Sequence, residues 1–449
     1  MTIDLIIKNA NLYIEKRIVK AGIAIEGDKI IKIAKETNLP PASKVIDLDG
    51  KLVLPGLIDM HVHLRDEGLS YKEDFYSGTA AAAAGGLTTI VDMPNNQPVT
   101  MSLKTLRERM KRAKERILVN VAFHSAFPAS VEEIAHLVEK GGAIAFKFFM
   151  DRKIGGVHPK DDQTLFDYLK TVAKLGVHVA VHAEDFSLIK RNESKVKFLE
   201  KENIEIFLSA HSSDREAEAI KKISRIAQES SARIHICHLS SFKGLIEVLN
   251  SKRRGIQVSC EITPHHLLLT VDDLKSKGKI ALVNPPLRSK DDVISLWKAV
   301  HEGKIDTFAS DHAPHMLEEK SLSLKGACTG IPGLETMLPL LLTQVNKGYL
   351  TLENLVKMTS ERPAQILGLN GRGKITEGGC ADLTVIDLSR KFKIDPSSFY
   401  SKAKHSPFEG WIVKGKPIKT FVNGCLIMDE GEIVASPGCG KIVTRKKKL

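Results

Sequence analysis

Between residues 55 and 368 the chain alternates short apolar runs with amphipathic stretches, and this order restricts the fold more than any other feature of the sequence. The apolar runs are 57–60, 89–93, 118–123, 143–149, 177–181, 233–239, 257–262 and 305–309. Helical periodicity marks 72–84, 103–114, 131–140, 165–174 and 215–227 between them. Eight strand-then-helix units in roughly 300 residues suit a (β/α)8 barrel. A doubly wound nucleotide-binding sheet suits them less well, and there is no Gly-x-Gly-x-x-Gly. In such a barrel the chemistry belongs at the C-terminal ends of the strands.

The flanks, 1–54 and 369–449, read differently. Period-two alternation occupies 4–8, 22–26, 29–33 and 44–48, with turns at Gly27-Asp28 and Asp49-Gly50. The far end repeats the pattern at 380–387, 412–413, 416–422 and 432–434, with turns at Lys414-Gly415, Asn423-Gly424 and Glu430-Gly431. Neither set is large enough to bury a core alone. The two ends are therefore predicted to complete one small β-sandwich, with the barrel of residues 55–368 inserted between them.

Composition narrows the class. The net charge of +12 is spread along the chain, and its one dense cluster is Arg445-Lys446-Lys447-Lys448. No nucleic-acid module accompanies that cluster, so it reads as a solvated tail, and the excess charge as a mild attraction for anionic substrates. The six cysteines form no Cys-x-x-Cys pair, which argues against a zinc ribbon and against a disulfide framework. Neither a signal-peptide layout nor a membrane-length apolar run is present, so a soluble cytoplasmic protein with reduced thiols is expected.

The strand ends carry an unusual set of residues. The first run closes on His61-Val62-His63, whose imidazoles share one side of a strand and can grip a metal ion or form a structural pair. Arg65 follows on the same side. The fifth run ends at His182, the sixth at His238 and the eighth at Ser310-Asp311; His182 or His238 alone would also suit a core. Lys147, within Phe146-Lys147-Phe148-Phe149, is a cation in an apolar strand and must snorkel, lose its proton or be modified. Carbamylated, it would supply a carboxylate able to bridge two metal ions. His61, His63 and Asp311 would hold one ion, and His182 and His238 the other. Two such ions about 3.5–4 Å apart would activate a shared hydroxide, which is a hydrolytic device. Around them Arg65, Asn95, Asn284 and His315 are donors for a carboxylate-sized space, although both asparagines adjoin prolines and serve turns equally well. The polar segment 315–330 is either a loop over the site or a surface excursion.

Six motifs together resemble the dihydroorotase family of the amidohydrolase superfamily. They are His61-Val62-His63-Leu64-Arg65, Gly85-Gly86-Leu87-Thr88-Thr89 through Met93-Pro94-Asn95, Thr263-Pro264-His265-His266-Leu267, Asn284-Pro285-Pro286-Leu287-Arg288, Asp311-His312-Ala313-Pro314-His315 and Gly330-Ile331-Pro332-Gly333-Leu334-Glu335-Thr336. The resemblance extends to Gly378-Gly379-Cys380-Ala381-Asp382-Leu383. It implies a barrel with a composite β-sandwich and two zinc ions bridged by an N6-carboxylated Lys147. It also implies reversible cyclisation of N-carbamoyl-L-aspartate to L-dihydroorotate in pyrimidine synthesis. By the same analogy His61, His63, His182 and His238 are metal ligands, Asp311 is ligand and general acid/base, and Arg65, Asn95, Asn284 and His315 hold substrate. A homodimer and an association with aspartate transcarbamoylase belong to the same expectation.

Two departures stand out. Arg65-Asp66-Glu67-Gly68 lacks the proline that the family commonly has there. Phe146-Lys147-Phe148-Phe149-Met150 is similar to the carboxylated-lysine branch, with Asp151 as a fallback bridge. The rival readings are allantoinase, dihydropyrimidinase and a non-catalytic scaffold. Arg65 speaks against the first two, because allantoin and dihydrouracil carry no carboxylate to pair with it.

Overall fold

The computed structural model describes residues 2–185, 204–322 and 328–445. Five strands open the chain: β1 (Ile3–Ile14), β2 (Arg17–Glu26), β3 (Lys29–Ala34), β4 (Ala42–Asp47) and β5 (Leu52–Pro55). The barrel strands follow as β6 (Leu57–Val62), β7 (Leu87–Asp92), β8 (Asn120–Ala126), β9 (Ala145–Phe149), β10 (His178–His182), β11 (Arg233–Ile236), β12 (Val258–Ile262) and β13 (Thr307–Phe308). Four more close the chain: β14 (Leu383–Lys393), β15 (Ile412–Val422), β16 (Cys425–Asp429) and β17 (Glu432–Ile433).

Strands β6 to β13 pair in chain order, parallel throughout. The ring is completed by a parallel bridge between Val62 and His312, with His63 N–H donating to His312 O at 2.8 Å. The eight runs read from the sequence are thus the eight strands of a parallel barrel. The last of them is short because its outgoing chain turns at once into the mouth. Three of the barrel helices begin where a side chain caps them. Ser102 accepts from Thr105 N–H ahead of Leu103–Lys114, Asp161 from Thr164 N–H ahead of Asp162–Lys174, and Ser241 from Gly244 N–H ahead of Phe242–Arg253.

The terminal strands form one continuous sheet rather than two separately hydrogen-bonded ones, in the order β17-β16-β15-β14-β5-β1-β2-β3 with β4 also on β1. The two chain ends meet where β5 pairs antiparallel with β14, Leu54 opposite Thr384. Leu12, Ile25 and Val53 from one end and Leu383, Val385 and Phe421 from the other share a single buried cluster. Three details differ from the sequence reading. Strand β1 runs on past Lys8 because Asn9, at φ 50°, takes the left-handed conformation that a register shift needs. Lys414-Gly415 is not a turn but lies inside β15, and β16 is an additional strand after the Asn423-Gly424 turn. Arg445 is half-buried and its guanidinium donates to Gly176 O, so it is not part of a solvated tail; Lys446, Lys447 and Lys448 lie outside the described residues.

Sheet and barrel are locked together at Gly56, between β5 and β6. A Cβ there would lie 2.3 Å from Thr88 Oγ1 and 2.8 Å from Asp382 Cβ, so only glycine fits. Gly56 N–H also donates to Asp382 O at 2.8 Å. The strand that carries His61 and His63 therefore starts from a fixed point. Among the described residues no helix is long and apolar enough to cross a membrane.

Candidate active site

A cavity of about 270 Å3 opens at the C-terminal ends of the barrel strands. It is lined by His61, His63, Arg65, Asn95, His182, His238, Asn284, Asp311 and His315, which is every site residue read from the sequence except Lys147. That volume suits a small ring or its opened form rather than a large ligand.

Strand β6 delivers Asp59, His61 and His63 to one side. Asp59 accepts from Ser310 N–H at 3.1 Å and from His61 N–H at 3.0 Å, and so ties the first strand to the segment after the eighth. His61 Nδ1–H donates to Glu261 Oε1 at 2.5 Å and His63 Nδ1–H to Asn95 Oδ1 at 2.6 Å. Both rings are left with Nε2 free, and both Nε2 atoms face Asp311 Oδ1, at 3.3 and 3.4 Å. Burial, with Lys147 nearby, pushes His61 down to about 4, and burial with Arg65 beside it holds His63 well below the usual imidazole range. Neutral imidazoles with one nitrogen already hydrogen-bonded and the other facing a carboxylate are a donor set for a divalent metal.

A second group adjoins it. His182 Nδ1 lies 3.0 Å from His238 Nε2, while His238 Nδ1 is buried without a partner in the described structure. The ring centroids of His61 and His238 are 5.2 Å apart. His182 Nε2 meets Glu184 Oε2 at 2.9 Å, and His211 Nδ1 meets Glu184 Oε1 at 2.9 Å. Burial alone would raise the pKa of Glu184; the imidazoles of His211 and His182 outweigh it and hold the carboxyl well below its usual range. His61, His63 and Asp311 thus form one group that fits a metal ion, and Asp151, His182 and Glu184 form a second beside it.

Lys147 sits beneath the cavity rather than in its wall. It is fully buried on β9, with Nζ 2.9 Å from Cys237 Sγ and 5.0 Å from the centre of the Phe149 ring. Asp151 Oδ2 lies 3.8 Å from His182 Nε2 and takes Arg152 Nη1–H at 2.9 Å, while its Oδ1 is buried without a partner in the described structure.

Toward the rim, Arg65 Nη2 is 3.1 Å from His315 Nε2, and Arg65 Nε is buried without a partner. Burial lowers the guanidinium only to about 10, with Asp311 opposing the shift, so it stays charged at neutral pH. Asn284 Oδ1 is likewise buried and unpaired. Three of these residues depart from ordinary backbone geometry: Arg65 at φ 61°, His238 at 34° and Asp311 at 46°. Left-handed backbone costs a non-glycine residue roughly 1–2 kcal/mol, and here it aims the side chains inward. Of the segment 315–330, Cys328, Thr329 and Gly330 line the cavity, and residues 323–327 lie outside the described residues.

The sequence reading did not single out Glu261, Cys237, His211 or Lys72. Glu261 carried the same signal as Lys147, a lone charge inside an apolar strand. His266 and His312, which sit in the motifs, are structural. His266 bonds Thr263 Oγ1 at 2.8 Å and Pro285 O at 3.1 Å; His312 is 3.3 Å from Glu73 and accepts Gly333 N–H at 3.1 Å.

Residues 52–427 match the model of the Amidohydrolase family. The dihydroorotase of Bacillus cytotoxicus is 40% identical over 421 residues, covering 92% of this chain and 95% of that protein. Among solved structures, L-hydantoinase (dihydropyrimidinase) from Arthrobacter aurescens superposes with a TM-score of 0.94 at 34% identity, covering 99% of this chain and 100% of that one. D-hydantoinase (dihydropyrimidinase) from a Thermus species does so with a TM-score of 0.90 at 28% identity, covering 98% and 99%.

Proposed function

Because the chain belongs to the amidohydrolase family and is a cyclic amidohydrolase, we propose that it is a dihydroorotase. It interconverts N-carbamoyl-L-aspartate and L-dihydroorotate, the ring-closing step of pyrimidine synthesis. The observation that carries this reading is Arg65. A buried guanidinium with an unpaired Nε at the wall of a small cavity calls for an anionic group on the ligand. Dihydroorotate has such a carboxylate on its ring. The 40% identity to dihydroorotases supports the same substrate. The second reading, a hydantoinase or dihydropyrimidinase, is favoured by the names of the superposing structures.

In this reading His61, His63 and Asp311 would hold one zinc ion and His182 and His238 a second, and a carbamylated Lys147, or Asp151 in its place, would supply a carboxylate shared between them. Bound there, the zinc would polarise the ring amide carbonyl and lower the pKa of water toward neutrality. The chain's own contribution begins with Arg65 and His315, which grip the ring carboxylate, while Asn95 and Asn284 orient the ring. Asp311, at the cavity wall, takes the proton of the attacking water and passes it to the departing ring nitrogen. Ring closure reverses the transfer. A homodimer and an association with aspartate transcarbamoylase rest on the resemblance alone.

The test is turnover of dihydroorotate, allantoin and dihydrouracil by zinc-loaded protein, with Arg65→Ala alongside. Arg65→Ala is expected to lose at least about 100-fold in kcat/KM on dihydroorotate, the loss of a charged hydrogen-bonded pair, and far less on the other two. Preference of the parent for dihydrouracil would select the second reading. No turnover on any ring after zinc loading would select a scaffold.

A further inference from the structure

His315 faces two cations at once. Lys72 Nζ lies 3.1 Å from its Nδ1 and Arg65 Nη2 lies 3.1 Å from its Nε2. Ammonium and guanidinium groups can only donate, and a neutral imidazole accepts at one nitrogen. One of the two approaches therefore sets N–H against N–H. The surroundings decide which. Lys72 is buried and pinned by Glu319 at 2.7 Å, and Glu319 is itself held by Tyr71 OH at 2.9 Å and by Met316 N–H at 3.0 Å. His315 is fixed from behind, its carbonyl accepting from His405 Nε2 at 3.0 Å. Arg65 has no such anchor, and its Nε has no partner in the described structure. The Lys72 bond is the one that persists, and it leaves the His315 proton on Nε2, beside Arg65 at the cavity wall.

We propose that Lys72 is a positioning residue for the substrate carboxylate. By donating to His315 Nδ1 it fixes the Nε2–H tautomer, so that His315 and Arg65 present two N–H donors to an anion between them. Until that anion arrives the two donors oppose each other; the carboxylate of the ligand satisfies both. This rests on the dihydroorotase reading for the identity of the anion, and on the structure alone for the tautomer.

The experiment uses zinc-loaded, full-length protein with 15N-labelled histidine, the His315 signals being assigned from the spectrum of His315→Gln. The expected parent form is Nε2–H, retained in Lys72→Arg and displaced toward Nδ1–H in Lys72→Met. In steady-state assays Lys72→Met is expected to raise KM for dihydroorotate about 10-fold while kcat falls less than about threefold, with Lys72→Arg restoring most of the loss. Glu319→Gln, which frees Lys72 without removing it, moves both readouts the same way by less. An Nδ1–H parent overturns the proposal. So does a Lys72→Met protein whose tautomer is unchanged and whose kcat falls in step on dihydroorotate and dihydrouracil. If the parent turns over dihydrouracil alone, the substrate reading fails, and the tautomer spectra still decide the role of Lys72.

Discussion

Glu261 is a carboxylate inside a strand, fully buried. Burial alone would raise its pKa, but the imidazoles of His61, donating from Nδ1–H, and His235, at 3.0 Å, hold it well below the usual carboxyl range; it also accepts His238 N–H at 3.1 Å. Its effect is on His61: by taking Nδ1–H it leaves the Nε2 lone pair for a metal. Glu261→Gln is expected to weaken zinc binding roughly 10–100-fold, the usual cost of losing such a partner. Competition with a chelator measures it, and parental affinity in the variant would contradict the role. The ligand candidates were legible because His-x-His and Asp stand at strand ends. Glu261 was overlooked because it precedes the end of β12 by one residue, and what makes it functional is a histidine 200 positions away.

At the scale of elements, the helix Leu103–Lys114 was read to its final residues from periodicity. What it does for the site was not legible. Its Arg109 side chain, nearly fully buried, reaches Asp92 Oδ2 at the end of β7 with Nε at 2.6 Å and Asp66 O with Nη1 at 3.2 Å. Asp92 Oδ1 in turn accepts Leu64 N–H at 2.9 Å. An outer helix thus braces the loop that carries Arg65. Arg109→Ala strands the buried Asp92 charge, and a loss of about 3–5 kcal/mol in unfolding free energy is expected from urea titration. Arg109→Met, which keeps the bulk over the Phe75 ring, should lose less. Strand lengths were read less well than this helix. Helix periodicity is local, whereas a strand ends where its neighbour stops pairing, as β13 does after two residues.

Over the whole molecule, the terminal sheet makes the chain ends interdependent. Strand β5 lies between β1 and β14, so its edge is bare until the last quarter of the chain has been made. A chain ending at residue 376 lacks β14 to β17 and loses Leu383, Val385 and Phe421 from the shared core. It is expected to aggregate and to lose cooperative unfolding; a monomeric, cooperatively unfolding fragment on size exclusion and thermal denaturation would refute this.

By itself the sequence determined the alternation that makes a parallel barrel, the pairing of the two flanks and the residue types gathered at the strand ends. Those follow from period and position, which are written along the chain. Only the tertiary structure decided which nitrogen of His61 and of His63 is left for a metal, that Lys147 lies beneath the cavity against Cys237, and that Lys72 reaches His315 across 243 positions. A tautomer is set by the partner on the other side of the ring, and barrel closure brings that partner from anywhere in the chain.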